Sequence, residues 1–181
     1  PLMVLQAGDS TISIPLIGSI NFGLLYPLLI VPVIITFTSN ATNMLAGMNG
    51  LEAGTGLVLL TSTGLYSLFY GTIEGAIISL IMSACLLAFL KYNAYPAKFL
   101  PGDTLTYMIG AIFGASIIIG NIEKFAVVAF IPWFIEFGLK ARKRFKASSV
   151  GVLQKDGSLK PKHDKVYSLT HLGMKWVKEE K

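Results

Sequence analysis

Residues 53–70 read AGTGLVLLTSTGLYSLFY, residues 71–74 read GTIE, and residues 75–90 read GAIISLIMSACLLAFL. Neither long run contains Asp, Glu, Lys or Arg. A hydrocarbon layer about 30 Å thick takes roughly 20 apolar residues per helix. Two such runs separated by a short Gly-Thr turn with one acid therefore predict a helical hairpin within a membrane. Working outward, charge is also absent from Ser10 to Leu51 and from Thr104 to Ile122. Of the 181 residues, 53% are hydrophobic and 14% charged, against roughly 25% charged in an ordinary soluble domain. One aqueous core cannot bury this much apolar sequence, so the fold class predicted is an all-α polytopic membrane protein.

About five spans are expected, over residues 18–39, 53–70, 75–90, 104–120 and 125–139. Pro27 and Pro32 lie inside the first and predict a kink, which neighbouring helices can tolerate in a membrane. If the loops after spans one, three and five share a side, that side holds Lys91, Lys98 and every basic residue from Lys140 onward, leaving Lys124 opposite. Positive charge marks the cytoplasmic face. The net charge of +5 then reflects topology and an anionic ligand or lipid bilayer surface, with no argument for nucleic acid. No start methionine precedes Pro1, and a piece of a longer chain is expected. Cys85, inside an apolar run, reads as a small buried hydrophobe.

Residues 140–181 have the composition of a cytoplasmic appendage. Val150, Val152 and Leu153 precede Lys155-Asp156-Gly157-Ser158, an Asp-Gly turn suited to a short β-hairpin. Residues 166–177 predict an amphipathic helix with Leu169, Leu172, Trp176 and Val177 on one face.

Two segments on the cytoplasmic side carry the candidate chemistry. Residues 40–54, NATNMLAGMNGLEAG, read as a loop rich in asparagine and glycine; residues 93–104, NAYPAKFLPGDT, place Asp103 just before the fourth span. Taken singly, the asparagines suit turns, and Asp103 with Thr104 suits a helix N-cap. Together they put a carboxylate, amide oxygens and flexible backbone on one face of the membrane. Those are groups that a hard Mg²⁺ ion takes when it also holds substrate phosphates. Lys140-Ala141-Arg142-Lys143-Arg144-Phe145-Lys146 reads first as a positive-inside anchor. Gly110 and Gly114 form a small-xxx-small helix contact. Glu136 either lines a cleft or pairs with Lys140 or Arg142.

These two segments, in this order and joined by the hairpin, resemble the signature loops of the polyprenyl-phosphate N-acetylhexosamine-1-phosphate transferases. The likeness is greatest to the UDP-N-acetylglucosamine:dolichyl-phosphate N-acetylglucosaminephosphotransferase branch of archaea and eukaryotes. The resemblance implies Mg²⁺-dependent transfer of N-acetylglucosamine 1-phosphate from UDP-N-acetylglucosamine to a polyprenyl (dolichyl) phosphate, releasing UMP on the cytoplasmic face of an archaeal plasma membrane. It implies Asn43 and Asp103 as metal ligands and catalytic residues, and Asn49 as the uracil contact, with Gly50 and Leu51 shaping that pocket. Arg142 and Arg144 would hold the donor pyrophosphate, and a homodimer is compatible. The chain departs from the family pattern by having Leu100 where relatives place an aromatic ring, no histidine in the basic cluster, and no Asp-Asp pair. A transporter or structural subunit with a polar cytoplasmic cavity is the competing expectation; a transporter would place its polar features near the midplane. His163 and His171 are read as surface or capping residues.

Overall fold

A computed structural model describes residues 11–14, 18–155 and 157–179. Strands β1 (Thr11–Ile14) and β2 (Gly18–Asn21) pair antiparallel, Thr11 opposite Asn21. A π-helical stretch, Tyr26–Ile30, runs directly into α1, Val31–Met44. Then follow α2 (Leu51–Tyr70), α3 (Ile73–Asn93), α4 (Gly102–Gly120), α5 (Glu123–Ala129) and α6 (Ile131–Ala141). Short strands β3 (Val152–Leu153) and β4 (Leu159–Lys160) precede α7, Leu169–Glu179. Among the described residues, three helices are long and apolar enough to cross a membrane: Tyr26–Met44, Ile73–Asn93 and Gly102–Gly120. Helix α2 equals them in length, with more Gly, Thr and Ser along it.

The helical hairpin is present as α2 and α3. Two of the expected spans need correction. The first begins later than residue 18, because Gly18–Asn21 is a strand, and it runs on through Asn40 and Asn43 to Met44. Both prolines sit at the start of a helical segment, Pro27 in the π-helical stretch and Pro32 in α1. There the missing N–H costs little, and the wider π turn leaves room for the Pro32 ring. The segment read as residues 125–139 is two helices meeting at Phe130, whose backbone (φ −93°, ψ 5°) is shared by the end of α5 and the start of α6. Pro132 causes the break, since its ring would clash with the carbonyl four residues earlier in a continuous helix. Neither half is long enough to span. Cys85 is exposed on the outside of the helix bundle.

Aromatic packing holds this broken element against the bundle. Phe130 stacks on Phe113 at 5.0 Å and on Trp133 at 4.9 Å, while Phe37 of α1 stacks on Phe134 at 5.6 Å. The α1–α4 contact is closer still. A Cβ on Gly110 would overlap the Thr38 carbonyl oxygen and lie 2.5 Å from Ser39 Cα, and one on Gly114 would lie 2.8 Å from Thr38 Oγ1. With these glycines the backbones meet, and Thr42 Oγ1 donates across to the Thr106 carbonyl at 2.8 Å. That bond fixes the C-terminal turn of α1, with Asn43, beside the N-terminal turn of α4, with Asp103.

The appendage contains the expected hairpin, Val152 opposite Lys160 and Leu153 opposite Leu159. Gly157 has φ +80°, as a tight turn requires. Asp156 of that turn lies outside the described residues, as does the side chain of Val177. Of the expected inward face of α7, Leu169 packs against the core, but Thr170, His171 and Met174 are buried whereas Leu172 and Trp176 are exposed. A buried carboxylate on α6 decides this. Glu136 accepts from Ser168 Oγ and from Leu169 N–H, each at 2.7 Å, and so adds to the local cap that Ser168 Oγ makes by accepting from Thr170 N–H at 3.3 Å.

Candidate active site

A cavity of about 550 Å³ opens where the end of α1 and the starts of α2 and α4 come together. Of the residues singled out in the sequence, Asn43, Asn49, Leu100 and Asp103 line it. Asn43 is on the last helical turn of α1, and Asn49 is exposed in the loop after it. Asp103 is in the first turn of α4, where no side chain caps the helix. Its carboxylate is therefore not used as an N-cap, and the helix N-terminus beside it adds positive potential.

Gly50 and Leu51 lie outside the lining. Gly50 has φ +76°, and a Cβ there would lie 3.5 Å from Ala94 Cα, so it seats the first loop against the second. Asn93 holds that second loop from beneath, donating through Nδ2 to the Phe99 carbonyl at 2.9 Å. Arg142 and Arg144 are exposed and also outside the lining.

The cation in the cavity wall is Lys140. Its ammonium pairs with Glu136 Oε1 at 3.5 Å and donates to the Met44 carbonyl, which also accepts from Ser149 Oγ at 3.1 Å. That carbonyl is at the C-terminus of α1, the end of the helix that favours a cation. Burial pushes Lys140 below the ordinary lysine range, against the opposing pull of Glu136. Of the readings for Glu136, the ion pair with Lys140 is the one present; Glu136 is fully buried and does not line the cavity.

Residues 147–150 complete the wall. After α6 the chain reverses through Arg144 and Phe145, both at positive φ (51° and 60°), and Phe145 N–H bonds to the Lys140 carbonyl at 2.9 Å. The returning segment is held by His171, which is buried; its Nδ1 accepts from Tyr167 N–H at 3.3 Å. Its Nε2 therefore carries the hydrogen and donates to the Ser148 carbonyl at 2.9 Å. Thr170 Oγ1 donates to the Ser149 carbonyl at 2.8 Å. His171 thus braces the cavity wall from behind. Sequence reading missed Lys140, Ser148 and Ser149 as lining residues; the i,i+4 spacing of Glu136 and Lys140 was the available signal.

Replacing Glu136 with Gln tests this bracing. Gln keeps one acceptor but sets an amide N–H₂ against donors, with a cost of about 1–3 kcal/mol for the unsatisfied groups. The expected result is faster proteolysis within residues 147–179 while the helical bundle stays intact, read by limited digestion.

Two oxygen-bearing side chains on the cavity lining, Asn43 and Asp103, are the groups that would meet a metal here. Among the described residues no group of three or more His, Cys, Asp or Glu is placed to hold a metal ion. That donor set fits Mg²⁺, which is commonly bound through one or two protein ligands together with water and substrate phosphates.

The sequence profile described as Glycosyl transferase family 4 matches residues 1–121. The chain belongs to that family. A protein of Saccharolobus solfataricus, provisionally named a UDP-N-acetylglucosamine–dolichyl-phosphate N-acetylglucosaminephosphotransferase, is 43% identical over 177 residues, covering 97% of this chain and 55% of the relative. The Schizosaccharomyces pombe enzyme of that name is 31% identical over 166 residues, covering 80% of this chain and 37% of the relative. A phospho-N-acetylmuramoyl-pentapeptide-transferase of Clostridium kluyveri is 33% identical over 133 residues, 66% of this chain and 42% of the relative. The chain spans about half the length of the first of these relatives.

Proposed function

We propose that this chain carries the donor side of a membrane transferase that moves N-acetylglucosamine 1-phosphate from UDP-N-acetylglucosamine to a polyprenyl (dolichyl) phosphate and releases UMP. One observation carries the reading: Asn43, Asn49, Asp103 and Lys140, drawn from three separate parts of the chain, line one cavity at the ends of apolar helices. A polar cluster at helix ends suits a reaction at the membrane surface better than passage through the bilayer.

In this reading Asn43 and Asp103 hold Mg²⁺, which when bound neutralises phosphate charge and polarises the transferred phosphoryl group. Asn49 contacts the uracil, with Leu100 offering an apolar surface where an aromatic ring would stack. Lys140 stands in the wall to meet the donor pyrophosphate, and the exposed Arg142 and Arg144 act at longer range. An oxygen of the acceptor phosphate attacks the sugar-bearing phosphorus, the bond to the UMP oxygen breaks, and UMP leaves with that electron pair. Lys140 and the N-terminal amides of α4 stabilise the charge that develops. An apolar groove of about 460 Å³, lined by Leu45, Val58, Leu59, Phe125, Val128 and Trp133, lies between α2 and the broken α5–α6 element. Leu45 follows Met44 of the polar cavity, and the groove suits the prenyl chain of the acceptor.

The positive-inside pattern supports a cytoplasmic orientation for the cavity. Sealed membrane vesicles containing the complete protein test reaction and orientation together. With polyprenyl phosphate in the bilayer, externally added UDP-N-acetylglucosamine and Mg²⁺ should yield UMP in inside-out vesicles and none in right-side-out ones. No UMP from detergent-opened vesicles would overturn the transferase reading; equal release from both sealed orientations would overturn the topology.

A further inference from the structure

Glu52, in the first turn of α2, is buried at 9% exposure. Its Oε1 accepts from Gly47 N–H at 2.7 Å, tying α2 to the loop that carries Asn49. Its Oε2 is buried without a hydrogen-bond partner, although Glu52 lines the same cavity as Asn43, Asn49 and Asp103. Acids are common in first turns, but an exposed one keeps both oxygens in water, and this one does not. Glu52 also borders a void of about 10 Å³, near the lower limit for a single water and too small for a ligand.

The cavity is therefore polarised. A phosphate, itself anionic, is repelled from Glu52 and drawn to Lys140. An N–H or O–H donor satisfies a buried carboxylate oxygen, and the donors a uridine nucleotide offers are neutral groups on its nucleoside and sugar. We propose that Glu52 Oε2 accepts a hydrogen bond from the nucleoside part of a uridine nucleotide, making Glu52 a specificity-determining residue of the cavity. Its tether to Gly47, two residues before Asn49, argues for nucleoside over sugar. This inference rests on the transferase reading above.

The test is calorimetric titration of the complete detergent-solubilised protein with UMP, UDP-N-acetylglucosamine and inorganic pyrophosphate. Glu52→Gln keeps an oxygen for Gly47 and turns the other arm into a donor. It should melt with the parent, bind UMP and UDP-N-acetylglucosamine roughly ten- to hundredfold more weakly, and bind pyrophosphate unchanged. Parent-like nucleotide affinity in Glu52→Gln, with only Glu52→Ala defective, would reduce Glu52 to a loop tether and overturn the proposal. Weakened UDP-N-acetylglucosamine binding with UMP intact would overturn the nucleoside placement.

The parent protein gives a check that does not depend on folding of a variant. It should discriminate against at least one of N3-methyl-UMP, 2′-deoxy-UMP and 3′-deoxy-UMP, each of which alters one nucleoside donor, and Glu52→Gln should lose that discrimination. Equal binding of all three and UMP by the parent overturns the inference. A parent that binds no uridine nucleotide at all removes the transferase reading itself, and this inference falls with it.

Discussion

Asp103→Asn in the complete enzyme should lower turnover by about a hundred- to thousandfold, as loss of a main electrostatic contributor at the transferred phosphoryl group typically does. The substitution keeps the shape of the side chain and removes its charge. Since no side chain caps α4, no capping bond is lost with it, and the melting temperature should stay near that of the parent. Asn43→Ala should show a loss of the same kind, partly recovered by raised Mg²⁺ or Mn²⁺. UMP release measured against divalent-ion concentration, with thermal unfolding in parallel, separates the roles. Full activity in Asp103→Asn would remove the metal assignment and most of the case for chemistry in this cavity.

Lys140→Ala should raise the donor KM and slow turnover together, at a cost of about 2–5 kcal/mol for truncating one side of a buried charge interaction. Arg142→Ala and Arg144→Ala, both at exposed positions, should each cost much less. The pH dependence gives a second readout. Burial favours the neutral form of Lys140 and holds it below the ordinary lysine range. Donor binding needs the charged form, so affinity should be full at lower pH and fall as pH rises through that lowered range. Lys140→Arg, which does not deprotonate in this range, should flatten the profile if the side chain fits. Arginine variants that outweigh Lys140→Ala would return the pyrophosphate contact to the exposed cluster.

The α2–α3 hairpin and α4 were legible because apolar runs without charge have few outcomes other than long helices. Asn43, Asn49 and Asp103 were legible because their polarity stands out beside such runs. The break at Phe130 was less so: Pro132 is in plain view, but hydrophobicity continues across it, and a periodicity argument reads on through. The inward face of α7 was misread because Leu172 and Trp176 form the more apolar stripe, whereas hydrogen bonds to Glu136 and Ser148 selected the face with Thr170 and His171.

Composition alone determined that this protein is a helical membrane protein, and the polarity of two segments beside its apolar runs marked them as the candidate site. Tertiary structure decided which residues share the cavity. Lys140 is one of several basic residues in an undistinguished run, and only the return of the chain through Arg144 and Phe145, with the carbonyl of Met44 as anchor, selects it. Glu52 reads as an ordinary first-turn acid until burial strips one of its oxygens of water. Distances between positions as far apart in sequence as Thr42 and Thr106, 64 residues, are set by helix packing. Here the glycines of α4 let two backbones touch and bring the end of α1 to the start of α4.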